Sequence, residues 1–452
     1  MHLTAFTTAK KNHIALALLC LALPTPLQAA PDRPDAGQIF RESVPPLPPL
    51  PLPGENRLQV PREDEQKIPM ADGPTVLVRG FAFTGNEHIA SDELLREIPA
   101  IAKASGDQID LAGLDAIAGL ISKYYREQGY SVATAYVPAQ TSTDGIIGIT
   151  ILEGRYDRTT IALTGDKAGY TEERLKKFLD YNLCDNIAPD CQGVVLEKRH
   201  IDRALGLVSD LPGLADVAGT LRSGEQIGTS IFQLTAKPGP AWGGQLSSDN
   251  YGNRHTGRAR GNAALRLNNP LGIGDRLSLD FTTTGDGMNR GSFDYNLPVG
   301  FTGWRMGIDY TPSVYVLGAP FDAVDAHGQA HALNSYISYP LIRSIAGNLF
   351  LRGGYSYKWL EDDILDTVTK KEEWTVPLSI NGNGGDQFFG GGLTGYGLTF
   401  TGGSLSFDDS SQAGAEDAQG SFKKINYNLS REQALLSFGS HRFSCYGSLT
   451  GQ

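Results

Sequence analysis

The chain has 452 residues, with 39 Lys and Arg against 50 Asp and Glu and a formal net charge of −11; that balance leaves no basic footprint for nucleic acid. Beyond the first 30 residues no run approaches the roughly 20 consecutive apolar residues that a membrane helix needs, which excludes a helical membrane protein. Gly is abundant, at 54 residues, and high Gly with low charge density is compatible with a β-barrel, whose alternating strands leave the average hydropathy low.

Lys10, Lys11 and His13 precede an apolar run over 14–23, broken by Pro24 and Pro26, and Leu27-Gln28-Ala29-Ala30 supplies small residues for cleavage. This order predicts a secretory signal peptide over 1–29, and hence export to a space where disulfides are permitted. Residues 30–75 begin with a short amphipathic helix from Asp35 to Glu42 and continue as a Pro-rich spacer centred on 45–53. Proline removes donors and favours an extended, semi-rigid chain.

A twofold internal repeat follows. Phe83-Thr84-Gly85-Asn86 recurs 80 residues later as Leu163-Thr164-Gly165-Asp166, each closing a short strand (76–83 and 159–164). In the first unit, 92–98 reads as a helix, and 111–128 as a second with Leu111, Leu114, Ala118, Ile121 and Tyr125 on one face. Asp110 is its N-cap and Gly129 its stop. Strands are expected over 131–137 and 146–152. The second unit repeats the order with helices over 171–181 and 196–208 (Ile201, Leu205 and Val208 inward) and strands over 216–221 and 229–236. Each copy is β-α-α-β-β, and the domain boundaries fall at 76–156 and 157–238. Cys184 and Cys191 flank a loop and suggest a local disulfide, with two free thiols as the alternative. Only His200 stands near enough to suggest a zinc ligand, and Cys445 reads as a small apolar strand residue.

From Trp242 the periodicity changes to alternation. Leu277, Leu279 and Phe281 alternate with Ser278, Asp280 and Thr282; Trp304, Met306, Ile308 and Tyr310 alternate with Arg305, Gly307 and Asp309. The same pattern holds for Tyr396, Leu398 and Phe400, and for Ile425, Tyr427 and Leu429. Either the apolar face packs on a second sheet in a soluble sandwich, or it meets lipid while the polar face lines a wet lumen. The export signal favours the barrel, residues 239–452, with about eleven strands of nine to eleven residues each and long connections such as 408–420. Arg266, Asp280, Arg305, Asp309 and Arg352 fall on the polar face, either hydrating a lumen or forming ion pairs along the wall. The pattern stops within a strand at Gln452, and an odd strand number would leave an unpaired edge in lipid, so the sequence reads as incomplete.

Catalytic signatures are missing from the sequence. No phosphate-binding Gly-x4-Gly-Lys-Ser/Thr loop occurs, and Gly390-Gly391-Gly392 lacks the lysine. No Gly-x-Ser-x-Gly elbow is found. His327 and His331 lie in a strand region without helical i, i+4 geometry, and Glu361, Asp362 and Asp363 read as a solvated loop. No enzyme, metal site, cofactor or nucleotide is expected.

The whole arrangement resembles the two-partner-secretion outer-membrane transporters, the hemolysin secretion/activation proteins. Asp35-Ala36-Gly37-Gln38 resembles the start of that family's plug helix. Tyr136-Val137-Pro138-Ala139-Gln140 and Ile151-Leu152-Glu153-Gly154-Arg155-Tyr156 resemble the end of its first POTRA domain. Asp249-Asn250-Tyr251-Gly252-Asn253 with Thr256-Gly257 resembles its first barrel hairpin, Asn269-Pro270-Leu271-Gly272 with Gly274-Asp275 the next turn, and Tyr339-Pro340-Leu341 is a further match. The resemblance implies α+β periplasmic POTRA domains followed by an all-β transmembrane barrel, with about 11 of 16 strands present. Neither the family's Arg-Gly-Tyr-type loop motif nor its last strands are found.

The implied function is secretion and activation of a large exported partner protein, such as a hemolysin, adhesin or contact-dependent toxin. The partner would arrive unfolded in the periplasm and be taken by strand addition to an open sheet edge. The resemblance puts those edges at Asp216, Val217, Ala218, Gly219, Thr220 and Leu221 in the second unit and at Ser131, Ala133 and Ala135 in the first, with the small Ala218 and Gly219 admitting a partner backbone. Outer-membrane lipid is the other partner. A barrel-assembly factor of the same superfamily and a non-functional truncated transporter are the alternatives.

Overall fold

The computed structural model describes residues 34–43, 57–59, 75–141, 144–165, 169–184, 191–365, 367–408, 419–438 and 441–452. The expected leader, the proline tract and most of the 408–420 connection lie outside the described residues. A short helix α1 (Ala36–Ser43) and an extended segment β1 (Arg57–Gln59) precede the first α/β unit.

That unit comprises β2 (Val76–Leu77), β3 (Gly80–Thr84), α2 (Ser91–Glu97), α3 (Pro99–Ala104), β4 (Gln108–Ile109), α4 (Leu111–Glu127), β5 (Thr134–Tyr136) and β6 (Ile146–Leu152). Asp110 caps α4 by accepting from the Gly113 N–H at 2.8 Å. The helix buries Leu114, Ile117, Ala118, Ile121 and Tyr125 against a sheet ordered β3-β6-β5. Three expectations change. The strand expected over 76–83 divides, because buried Val78 exchanges backbone hydrogen bonds with Gly106 and Asp107 and β2 pairs with β4. Pro99 opens the additional helix α3 at a position where its missing N–H costs nothing. The strand expected over 131–137 shrinks to β5, since the chain is still turning at Ser131 and the Ala133 N–H bonds to the Tyr130 carbonyl.

The second unit holds β7 (Arg155–Leu163), α5 (Glu172–Leu183), α6 (Lys198–Ser209), β8 (Leu214–Ser223) and β9 (Thr229–Pro238). Its core joins Phe178, Leu179, Leu205, Val208, Phe232 and Leu234, and Cys184 is bonded to Cys191 with the Cα atoms 5.6 Å apart. Gly219 does not serve an incoming backbone as expected. It is buried, and a Cβ there would stand 2.7 Å from Phe232 and 3.0 Å from Leu205, so its missing side chain lets α6 close on the sheet.

The remainder is an eleven-stranded sheet in sequential order: β10 (Trp242–Asp249), β11 (Arg260–Asn268), β12 (Arg276–Thr283), β13 (Met288–Val299), β14 (Trp304–Val316), β15 (His327–Arg343), β16 (Gly347–Ile364), β17 (Thr367–Asp386), β18 (Gly392–Phe407), β19 (Gly420–Phe438) and β20 (His441–Gly451). All neighbouring pairs are antiparallel, the pairing that sequence-adjacent strands joined without a crossover adopt. Strand length rises from 8 residues in β10 to 20 in β17, well past the expected nine to eleven, so the middle strands outreach a membrane span.

Gly219→Val should lower the thermal midpoint of the second unit through overpacking of about 1–3 kcal/mol. Pairing it with Phe232→Leu should recover part of the loss in the same circular-dichroism melt.

Candidate functional site

The two α/β units meet at Glu153. Gly154 turns the chain with φ 79°, and a Cβ there would lie within bonding distance of Val132, so Glu153 is folded back into the first core. Its carboxylate accepts from the His88 backbone N–H at 2.9 Å, contacts His88 Nδ1 at 2.7 Å and accepts from the Tyr125 hydroxyl at 3.3 Å. Burial, reinforced by this carboxylate, pushes the Tyr125 hydroxyl well above the usual tyrosine range. Burial does the same to Tyr156 and Tyr170 in the second unit.

Neither predicted edge is open. In the first unit Ala133 and Ala135 point into the core, and Ser131 precedes the strand. The Ala135 N–H is taken at 2.8 Å by Ser122 Oγ of α4, which itself donates to the Ala118 carbonyl at 2.9 Å. In the second unit β1 lies parallel to β8, with Arg57 opposite Ala218, Leu58 opposite Gly219 and Gln59 opposite Thr220. The second sheet is therefore ordered β1-β8-β9-β7. Asp216 adopts φ 48° where the β8–β9 register shifts, and its carboxylate pairs with Lys237 at 3.1 Å.

Helices α5 and α6 carry the contacts to the large sheet. Phe301, in the turn after β13, lies edge-on to Phe178 at 5.1 Å and stacks on Tyr181 at 5.6 Å. Asn182 donates to the Phe301 carbonyl at 2.8 Å, Arg174 to the Ile273 carbonyl at 2.8 Å, and Arg203 to the Pro340 and Thr302 carbonyls at 2.7 and 2.9 Å. At the end of β15, Arg343 forms a bidentate pair with Asp210 at 2.9 and 2.8 Å while bonding Asn348 at 2.8 Å. Four side chains thus tie three successive turns of the sheet to one helix pair.

The large sheet has two chemically distinct faces. Trp304, Met306, Ile308 and Tyr310 of β14 are exposed on one. On the other, Arg266 pairs with Asp280 at 2.7 Å, and Asp309 accepts from Ser292 at 3.0 Å and Asn334 at 2.7 Å. Arg305 donates to Asn296 at 2.6 Å, and the Arg352 guanidinium lies 3.6 Å from the Tyr336 ring centre. The five predicted polar-face residues are thus engaged along the wall, in an ion pair, hydrogen bonds and a cation–π contact.

Helix α1 rests on this same polar face. Ile39 and Phe40 pack with Met288, Tyr315, Ala330, Ala332 and Leu360. Asp362, expected in a solvated loop, is buried because β16 continues to Ile364 and turns it inward. It accepts from the Ala36 N–H at 2.8 Å and from the Tyr315 hydroxyl, while Lys371 bridges Asp362 at 3.0 Å and Asp35 at 2.7 Å. Sequence periodicity found the helix, but not the Asp362–Lys371 latch that holds it.

A sheet with an apolar outer face, a charged inner face carrying a latched helix, and α/β units docked at one end defines the class of outer-membrane barrels with periplasmic domains. Residues 228–452 match the family model of the haemolysin secretion/activation protein ShlB/FhaC/HecB, and residues 76–154 match the POTRA domain, ShlB-type. The chain belongs to this haemolysin secretion/activation family, which places it in the outer membrane with POTRA structure on the periplasmic side. It is similar to the heme/hemopexin transporter protein HuxB of Haemophilus influenzae, 25% identical over 77% of this chain and 60% of that protein. It is also similar to the outer membrane transporter CdiB of Escherichia coli, 26% identical over 71% of this chain and 53% of that protein. The chain therefore spans just over half the length of these relatives. The solved structure of CdiB from Escherichia coli shares the fold, with a TM-score of 0.63 and 20% identity over 86% of this chain and 71% of that one.

Lys371→Met should leave Asp35 and Asp362 facing each other without a counter-charge, a loss on the order of 3–5 kcal/mol for a broken buried pair. The expected result is a larger ion current through the full-length protein in planar bilayers, with Phe40→Ala giving a smaller rise. Because the hydroxyls of Tyr125, Tyr156 and Tyr170 are raised in the folded units, their stabilisation is complete below about pH 10 and falls as pH rises through the folded-state values. Near-ultraviolet circular dichroism should therefore show loss of tertiary signal on alkaline titration, and Tyr125→Phe should move that loss to higher pH.

Proposed function

We propose that the full-length protein secretes a large exported partner across the outer membrane, taking it unfolded in the periplasm and passing it along the charged inner face of the barrel. The observation that carries this reading is the latched helix. A helix held on the polar face by Asp35, Asp362 and Lys371 is a removable stopper, and a stopper implies a passage. In this reading residues 157–238 act as a second POTRA domain beside the first at 76–156, and the turns gripped by Arg174, Asn182, Arg203 and Asp210 fix its position beneath the pore. Arg266, Asp280, Arg305, Asp309 and Arg352 line the path, where charges held by an ion pair, hydrogen bonds and a ring contact keep the wall hydrated. Trp304, Met306, Ile308 and Tyr310 face lipid. The periplasmic units receive the partner by backbone pairing at positions their own contacts leave uncovered, and folding of the partner outside the cell supplies the drive without a nucleotide.

The test is co-expression with a large exported protein, sought first among the genes beside this one. The partner should accumulate outside the cell with the intact transporter and remain in the periplasm without it. Arg343→Ala should cut export several-fold while leaving the amount of protein in the outer membrane unchanged; an unchanged export rate would remove the joint from the mechanism.

A further inference from the structure

One charged group on the inner face of the sheet stands apart from those described above. Arg290 of β13 is only 5% exposed, and among the described residues nothing accepts from its Nε. In the register it lies opposite Ser313 of β14, which is 3% exposed and whose Oγ is also without a partner. The carboxylates of the neighbouring strands are taken. Asp280 is paired with Arg266 at 2.7 Å, and Asp309 accepts from Ser292 at 3.0 Å, Asn334 at 2.7 Å and Thr311 at 3.2 Å. Thr282, opposite Arg290 on its other side, donates to Asn262 at 3.0 Å.

A buried cation without a counter-charge is far more costly than a paired one, and a buried hydroxyl without a partner adds its own desolvation cost. A guanidinium presents its N–H groups in a planar fork that fits both oxygens of a carboxylate, and the Ser313 hydroxyl supplies a further donor beside it. The next row of the same two strands is Met288 opposite Tyr315, and Ala330 of β15 lies opposite Ser313. Those three side chains belong to the cluster in which Ile39 and Phe40 of α1 are packed. The helix thus stands at the edge of the Arg290–Ser313 row, beside two donors that it does not satisfy. A ligand that fills the row only when α1 is away shifts the helix toward its undocked position.

We propose that Arg290 and Ser313 form a carboxylate-binding site in the inner wall, open when α1 is away and filled by an acidic side chain of the exported chain, which holds the passage open. The source of the carboxylate rests on the export reading; the site itself rests on the two unpartnered groups.

The experiment records openings of the purified full-length protein in planar bilayers as sodium acetate replaces the sodium salt of a bulky sulfonate at constant ionic strength. Acetate should raise the open probability of the wild type several-fold. A blocked glycine peptide carrying one glutamate should do the same, and its glutamine counterpart should not. Arg290→Gln should abolish both responses and, in sulfonate, open less often than the wild type, because its docked state no longer buries an unpaired charge; a change that merely damaged the wall would open it more often. Ser313→Ala should weaken the acetate response, and it carries the test if Arg290→Gln does not assemble. An anion-independent wild type, or an acetate response of wild-type size in either variant, overturns the site. An acetate response with no difference between the two peptides restricts the site to free anions and overturns its role toward the exported chain. In cells, loss of export by the wild type with the acetate response intact overturns the export reading alone.

Discussion

A strand at the edge of a sheet carries backbone N–H and C=O groups that must find partners, and in this chain the way each edge is satisfied organises the molecule. In the membrane the requirement is absolute, because an unpaired backbone group there costs several kcal/mol, and sequential antiparallel pairing meets it on both sides of each of the nine strands between β10 and β20. In the periplasmic units the same groups are answered by different means. Ser122 reaches from α4 to the Ala135 N–H, β1 lies along β8, and the start of β7 exchanges hydrogen bonds with residues 193–196. The last two are backbone-to-backbone and so independent of side-chain identity.

The joint between the second unit and the sheet follows a different logic. Arg174, Asn182 and Arg203 all donate to backbone carbonyls in the sheet's turns, where orphan acceptors are plentiful. Arg343 adds a buried bidentate pair with Asp210, and Phe301 fills the gap between Phe178 and Tyr181. Fixed hydrogen-bond geometry in three turns resists rotation in a way that one apolar patch does not. At the other end of the second unit, Glu153 and Gly154 form a tight corner that holds the first unit to it.

The α1 latch combines apolar packing with a buried charge cluster, and the two contributions differ in kind. Burying Ile39 and Phe40 stabilises the docked helix without specifying its position. Asp362, Lys371 and Asp35 recover little net energy after desolvation, but they fit one position only, since each carboxylate oxygen needs its donor. A helix held this way is fixed in position without a large net gain in stability.

The elements themselves were legible in the sequence wherever periodicity is strong. Helix α4 with its Asp110 cap, the helices of the second unit, the repeated β-α-α-β-β order and the alternating strands after Trp242 all follow from local spacing and capping chemistry. The extra helix that Pro99 opens is six residues long, too short to show helical spacing in the sequence. The edge residues were taken from the family resemblance and from small side chains. Gly219, however, is small because Phe232 and Leu205 occupy the space beside it, and Asp362 looked solvated because its acidic neighbours masked the strand alternation. The local sequence determined secondary structure, the change from helical spacing to strand alternation after the repeat, and the two faces of the sheet, because these depend on residues within a few positions of one another. Only the tertiary structure decided that β1 covers β8, that Ser122 closes β5, and that residues more than 300 positions apart, Asp35 and Lys371, share a charge, because hydrogen bonds and ion pairs between distant segments leave no periodic trace in the chain.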